Sequence, residues 1–235
     1  MKPKSTQPVL EHHHTIRAEL ICHMPYAILS VALSIIAVSL LSNMGMVVAS
    51  AKRLFHTFHF LHILFAATGA VLTFRKYSRS FVGAIAVGSL VPAIFCTLSD
   101  SVLPFIGGKY FRLDMHFHWC FIHHLDLIIP FLVVGMINGY FMASHSKNRQ
   151  WFYSASIHFA HIFISSMASI LYLVGYGFDT WYNQIGLVFV FLIIAVLLPC
   201  TLSDIVVPMG FAMRGTKAVR GGCVAEGGCD CSNAD

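Results

Sequence analysis

Two pairs of histidines are the clearest candidates for chemistry in this chain. His59 and His62 stand three residues apart, and so do His158 and His161. Residues three apart on a helix lie on one face, so each pair would present two imidazoles together. Imidazole nitrogen is a common transition-metal ligand, and a carboxylate is a frequent companion. The spacing therefore predicts two places at which a metal ion can bind.

Two aspartates occur in the same short sequence context. The pentapeptide Cys-Thr-Leu-Ser-Asp closes two long apolar runs and ends at Asp100 and at Asp204, each followed four residues later by a proline. Ionisable residues within a membrane are functional candidates by default. Cys96 and Cys200, four residues before the aspartates, could add thiolate ligands. We expect both aspartates to join the histidine sites; the plainer interpretation is a carboxylate that only hydrogen-bonds a neighbouring hydroxyl, with the histidines at the membrane interface.

The segments that must position these residues are long and apolar. Of the 235 residues, 57% are hydrophobic and 11% are charged, and the mean hydropathy is +0.74, whereas a soluble domain carries about 25% charged residues. A helix needs roughly 20 apolar residues to cross a bilayer, and lipid offers no partner to unpaired backbone groups. We therefore predict an all-α polytopic membrane protein. Its six transmembrane helices are expected near residues 25–48, 54–74, 81–106, 117–143, 152–175 and 182–212.

Basic residues predict the orientation of these spans. Eleven Lys and Arg flank the spans on the side of the two termini, and four flank them on the other side. The positive-inside rule therefore places both termini in the cytoplasm. This asymmetry accounts for the formal charge of +5 and gives no reason to expect nucleic-acid binding. A cleavable signal peptide is not expected, because the first apolar run starts late and is too long.

The two halves of the chain repeat one another. His59 and His158 are 99 residues apart, and the two aspartates are 104 apart. Each unit has three helices, and an odd number of spans gives tandem copies opposite orientations, as in many secondary transporters. We therefore predict two inverted three-helix repeats. The predicted organisation is a cytoplasmic N-terminal segment, the two repeats and a disordered cytoplasmic tail rich in Cys and Gly: residues 1–22, 23–108, 109–213 and 214–235.

The alternating orientation sorts the polar residues into two clusters, one near each membrane face. The outer cluster draws on spans two, three and four, and its expected metal ligands are His59, His62, Asp100, His123 and His124. The inner cluster draws on spans one, five and six, with His23, His158, His161 and Asp204. Asp126 lies three residues beyond His123 and would either orient an imidazole or act as a further ligand.

The remaining histidines and the tail cysteines have no clear counterpart in the other half. His56, His116, His118 and His145 are interpreted as loop or interface histidines. Three cysteines of the tail could bind a soft ion such as Cu(I) or Zn(II), carry palmitate or have no special role: Cys223, Cys229 and Cys231.

The favoured function is a membrane transporter for a transition-metal cation, with proton coupling through the aspartates. The residues do not distinguish Zn, Fe, Cu or Mn. Two alternatives stay open: a b-type dihaem cytochrome, with one haem between spans two and four and one between spans one and five, and a histidine-metal membrane oxidoreductase. Whether the chain is an enzyme is therefore undecided. The lipid bilayer and the metal ion are the expected partners, and a homo-oligomer is compatible with the sequence.

Overall fold

The computed structural model is all-helical in the residues it describes, which are 16–43, 47–111, 113–118, 120, 124–144, 147–178 and 181–215. Four of its helices are regular: α1 Ile16–Asn43, α2 Val47–Tyr77, α4 Leu125–Ala143 and α5 Lys147–Gly175. The helix α3 continues from Phe81–Thr97 through Leu98–Val102 to Leu103–Tyr110, and α6 from Ile185–Thr201 through Leu202–Val206 to Val207–Gly215. All six are long and apolar enough to cross a membrane. The prediction of an all-α chain with six candidate spans is confirmed.

Several helix starts differ from the predicted spans, and those of α1 and α4 differ most. The helix α1 begins at Ile16, so Pro25 lies inside it and not in the first turn of a helix. The helix α4 begins at Leu125 and not near residue 117, because the preceding segment folds back on the bundle. There Met115 is buried, and the backbone N–H of His118 donates to the Tyr172 hydroxyl at 3.2 Å. His116, His118 and His124 therefore lie outside the helix.

The helices α2 and α5 form the centre of the bundle. Most of each is buried, whereas only a minority of the residues of α1, α3 and α4 is buried. The exposed faces of the outer helices carry large apolar side chains, among them Ile36 and Leu40 on α1 and Leu90 and Ile94 on α3. Such faces suit lipid, which is as apolar as the side chains themselves. Many of the buried polar side chains among the described residues accordingly lie on α2 and α5.

Close packing around α2 depends on small residues. A Cβ atom added at Gly135 of α4 would lie 2.4 Å from the Leu64 carbonyl oxygen, and one at Gly139 would lie 2.6 Å from that of Thr68. The Thr68 hydroxyl donates to the Gly135 carbonyl at 3.1 Å. A small residue at every fourth position lets two membrane helices approach backbone to backbone. The pair of glycines thus fixes α4 against α2.

Both aspartate motifs fall in a π-helical turn. The N–H of Leu103 donates to the Leu98 carbonyl, and that of Val207 to the Leu202 carbonyl, each five residues back. Pro104 and Pro208 explain the wide turns, because proline has no N–H and its ring clashes with the carbonyl four residues earlier. Those carbonyls belong to the two aspartates. Such π-turns inside α-helices occur frequently at functional sites.

Candidate functional site

The site is centred where α2 crosses α5. His62 is the middle residue of α2 and His161 is the middle residue of α5. Their Nε2 atoms are 2.6 Å apart, and both side chains are buried. The two predicted clusters therefore adjoin and are not separate as expected, although each keeps the histidine pair and the aspartate of its own half. The helix α2 begins at Val47 and α5 at Lys147, before the predicted spans 54–74 and 152–175, so histidines expected near the heads of two spans lie at mid-helix.

Asp100 joins the histidines of α2 to α5. Its Oδ2 accepts from the Nδ1 of His59 at 2.9 Å and from the Nδ1 of His62 at 2.7 Å. Its Oδ1 accepts from the hydroxyls of Ser99 at 2.7 Å and Ser165 at 3.0 Å. Four donors converge on one buried carboxylate, so its desolvation is compensated by hydrogen bonds to the charged form.

Asp204 lies at the corresponding position of α6 but accepts fewer hydrogen bonds than Asp100. Its Oδ2 accepts from the Nδ1 of His161 at 2.5 Å and lies 3.3 Å from the Nδ1 of His158. Its Oδ1 is buried and has no hydrogen-bond partner among the described residues. The carboxyl group lies against Gly69 of α2, where an added Cβ would come within 2.9 Å of the carboxyl carbon. The absence of a side chain at Gly69 therefore makes room for this aspartate.

A thiol completes the central group. The Cys200 sulfur lies 3.6 Å from the His62 Nε2. The Nε2 atoms of His62 and His161 and the Cys200 Sγ all lie within 4.8 Å of one another. Nitrogen and thiolate sulfur in this combination bind zinc and copper. Each aspartate holds an imidazole from the opposite side of its ring, which is the usual position of a carboxylate that orients a metal-binding histidine.

The other predicted site residues are distributed unequally. His23 joins the centre indirectly, with its ring 4.2 Å from that of His158. His124 lies outside the central group, and Asp126 is exposed in the first turn of α4. His123 lies outside the described residues, as do the three tail cysteines. The structure thus brings together seven of the predicted ligands along α2 and α5: His23, His59, His62, Asp100, His158, His161 and Asp204.

A second histidine group was missed by the sequence reasoning. His56, His118 and His124 each offer a ring nitrogen within 4.8 Å of the others. His56 is on α2 and the other two are in the loop before α4. The one signal in the sequence was that His56 precedes His59 by three residues, which places both on the same face of α2. Loop residues have no such periodicity, so His118 could not be assigned. His124 was expected to be a metal ligand, but it was grouped with His59, His62 and Asp100 instead of with His56 and His118.

Cys120 lies outside the six spans, beside His56 and His59. Burial raises the pKa of its thiol, but the two neighbouring imidazoles lower it, and the resulting pKa is about 7. A thiol next to imidazolium has its thiolate form stabilised. The segment before α4 therefore also holds a thiol whose thiolate form is favoured by its neighbours.

Comparison with family models, with curated proteins and with solved structures gave no match. The functional proposal therefore rests on the chemistry of the buried residues. They offer two imidazole nitrogens and a thiol in one buried group, with two carboxylates that orient the rings. This set can bind a transition-metal ion, and it can also pass protons between neighbouring groups.

Proposed function

We propose that the protein is an integral membrane transporter for a transition-metal cation, coupled to protons. The observation that carries this proposal is the meeting of the two halves of the chain in one group at mid-helix, formed by His62, His161 and Cys200. A buried ionisable group in a membrane bundle marks an ion or proton pathway by default. Nitrogen and sulfur ligands select zinc, copper or iron over magnesium and calcium.

Proton coupling follows from the protonation of the group. Both Nδ1 atoms of the central imidazoles face carboxylates, so the hydrogen between the two Nε2 atoms leaves the pair with one positive charge. A metal ion that binds both Nε2 atoms displaces this proton. It also displaces the proton of Cys200, because the thiolate is the ligand form. One divalent ion therefore exchanges for two protons, and the charge of the site is unchanged.

Inverted repeats are supported by corresponding contacts in the two halves. Each histidine pair bonds the aspartate of its own half, and each aspartate motif contains a π-turn at the same position. Transporters built in this way bind substrate near the middle of the membrane, at the interface of the repeats and beside interrupted helices. We infer the same plan, with one central site in place of two sites near the faces. From the distribution of basic residues we infer that both termini are in the cytoplasm.

The geometry argues against the dihaem alternative. A haem iron with two histidine ligands lies between their nitrogens. The imidazole rings of His23 and His158, which would hold a haem between spans one and five, are only 4.2 Å apart. The central Nε2 atoms are only 2.6 Å apart. A metal ion needs far less space than a porphyrin and can be accepted by a small movement of the rings.

The proposal is tested with purified full-length protein in proteoliposomes. We expect uptake of Zn²⁺, or of the metal that co-purifies, with movement of protons in the opposite direction. Cys200→Ser and His161→Gln should remove this flux. His116→Gln is the matched control, because His116 is exposed in the loop and outside the group. Flux that survives both central substitutions would refute the proposal, as would the absence of metal flux in the unmodified protein.

A further inference from the structure

Three imidazoles from separate parts of the chain converge where α2 begins and α5 ends, an end of the bundle that we call the loop end. The Nε2 atoms of His56 and His118 are 3.2 Å apart. The ring of His124 is centred 4.8 Å from that of His56 and 5.9 Å from that of His118. Because His118 and His124 come from a loop, the helix periodicity of α2 cannot explain their approach to His56.

The orientation of His56 suits metal binding. Its Nδ1 lies 2.6 Å from the Lys52 carbonyl oxygen. A carbonyl oxygen only accepts, so Nδ1 carries the hydrogen and Nε2 presents its lone pair toward His118. A backbone carbonyl in this position is a common partner of a metal-binding histidine, because it fixes the tautomer and the ring.

His118 is held in place by Tyr172 of α5 and by Tyr176, the residue that follows α5. The backbone N–H of His118 donates to the Tyr172 hydroxyl at 3.2 Å, and its ring stacks on that of Tyr176 at 5.3 Å. Support of this kind keeps ligands in position before the ion arrives. The group is thus fixed from both of the central helices.

We propose that His56, His118 and His124 form a second transition-metal site at the loop end. All three side chains are half-buried, in contrast to the fully buried central group. Three neutral imidazoles favour Zn²⁺, Cu²⁺ or Ni²⁺ over Mg²⁺ and Ca²⁺. Three protein ligands leave a fourth position for water, which allows the ion to exchange.

Its role in transport rests on the proposed function. His56 precedes His59 by one helical turn, and His59 shares Asp100 with the central His62. The second site would therefore capture the ion at the loop end and pass it toward the centre. Binding itself requires no transport and can be measured alone.

The test counts bound Zn²⁺ in the full chain in detergent, by calorimetry and by competition with a chelator. The unmodified protein should bind two ions, one of which exchanges rapidly. The His118→Gln and His124→Gln variants should each bind one Zn²⁺ ion, or bind the second ion at least about 10-fold more weakly. Loss of a residue that only orients a ligand already lowers metal affinity by about 10-fold or more. His116→Gln, in the same loop, is the control and should bind two.

The outcomes separate the two proposals. Cys200→Ser should lose the slowly exchanging ion and keep the fast one. If His118→Gln and His124→Gln both keep two ions with unchanged affinity, the second site is wrong and the central site is unaffected. If Cys200→Ser changes neither binding nor flux while His118→Gln loses an ion, the second site stands and the proposed function fails. A melting temperature close to that of the unmodified protein excludes misfolding as the cause.

Discussion

At the scale of single residues, the two aspartates differ in how many donors they face. Asp100 accepts four hydrogen bonds, whereas the Oδ1 of Asp204 accepts none from the described residues. An asparagine at either position replaces one acceptor oxygen by a donor NH₂. At Asp100 this NH₂ would face one of the four groups that donate to the carboxylate. At Asp204 it can occupy the position of Oδ1, which has no hydrogen-bond partner among the described residues. The two positions should therefore respond differently to the same change.

We expect Asp100→Asn to destabilise the protein by about 3 kcal/mol or more, since hydrogen bonds to a charged group contribute about 1.5–3 kcal/mol each. Asp204→Asn should cost clearly less. The measurement is the melting temperature in detergent without metal, with the two variants serving as controls for each other. An Asp204→Asn variant that is equally or more destabilised would contradict the asymmetry.

Gly69 provides a second test at this scale. In Gly69→Ala the new Cβ would approach the Asp204 carboxyl carbon to 2.9 Å, so the carboxylate must move from His161. Overpacking of this kind costs about 1–3 kcal/mol, and metal binding at the centre should weaken as well. Gly186→Ala is the matched control, because a Cβ there meets no atom within 4 Å. Equal metal affinity in the two variants would show that Gly69 does not contribute to the central site.

At the scale of the helices, the prolines after the aspartates set the direction of the carboxylates. Alanine at Pro104 restores an N–H that can bond the Asp100 carbonyl, which would close the π-turn into an α-helix. An α-helical turn holds fewer residues than a π-helical turn, so this change would rotate Asp100 relative to the helices against which it packs. The helix should therefore become more regularly α-helical, while Asp100 becomes less well placed to hydrogen-bond His59 and His62.

Pro104→Ala and Pro208→Ala should therefore weaken central metal binding at least about 10-fold, as loss of an orienting carboxylate does, without lowering the melting temperature. Pro130→Ala is the control, since Pro130 lies inside α4 away from a π-turn. Calorimetry with Zn²⁺ gives the affinities. Unchanged affinity in both variants would show that the π-turns do not position the aspartates.

The helices also show which features the sequence could predict. Apolar length was enough to find six spans, and the repeated motifs were enough to pair His59 and His62 with Asp100. The positions of the histidines along their helices could not be predicted, because α2 and α5 begin before the predicted spans 54–74 and 152–175. The contact between His62 and His161 depends on those positions and on how α2 crosses α5, and so was missed. The Asp-x-x-x-Pro spacing predicts a π-turn only when the helix is known to continue past the proline.

At the scale of the whole molecule, the two halves meet in a single group that can be occupied by protons or by a metal ion. Binding of one Zn²⁺ at the centre should release two protons, one from the imidazole pair and one from the Cys200 thiol. Affinity should therefore fall as the pH is lowered, because protons compete for the same atoms. Proton release is measured in weakly buffered detergent with His118→Gln, so that only the central site is filled. Cys200→Ser in the same background should release fewer protons, and release equal to that of its parent would contradict the exchange.

Zinc X-ray absorption identifies the ligand atoms of a metal ion bound between His62, His161 and Cys200. The measurement uses the full-length His118→Gln protein with one equivalent of Zn²⁺. We predict one sulfur at about 2.3 Å and at least two nitrogens at about 2.0–2.1 Å, with loss of the sulfur in Cys200→Ser. A spectrum with oxygen and nitrogen alone, or a sulfur that persists after Cys200→Ser, would contradict the site.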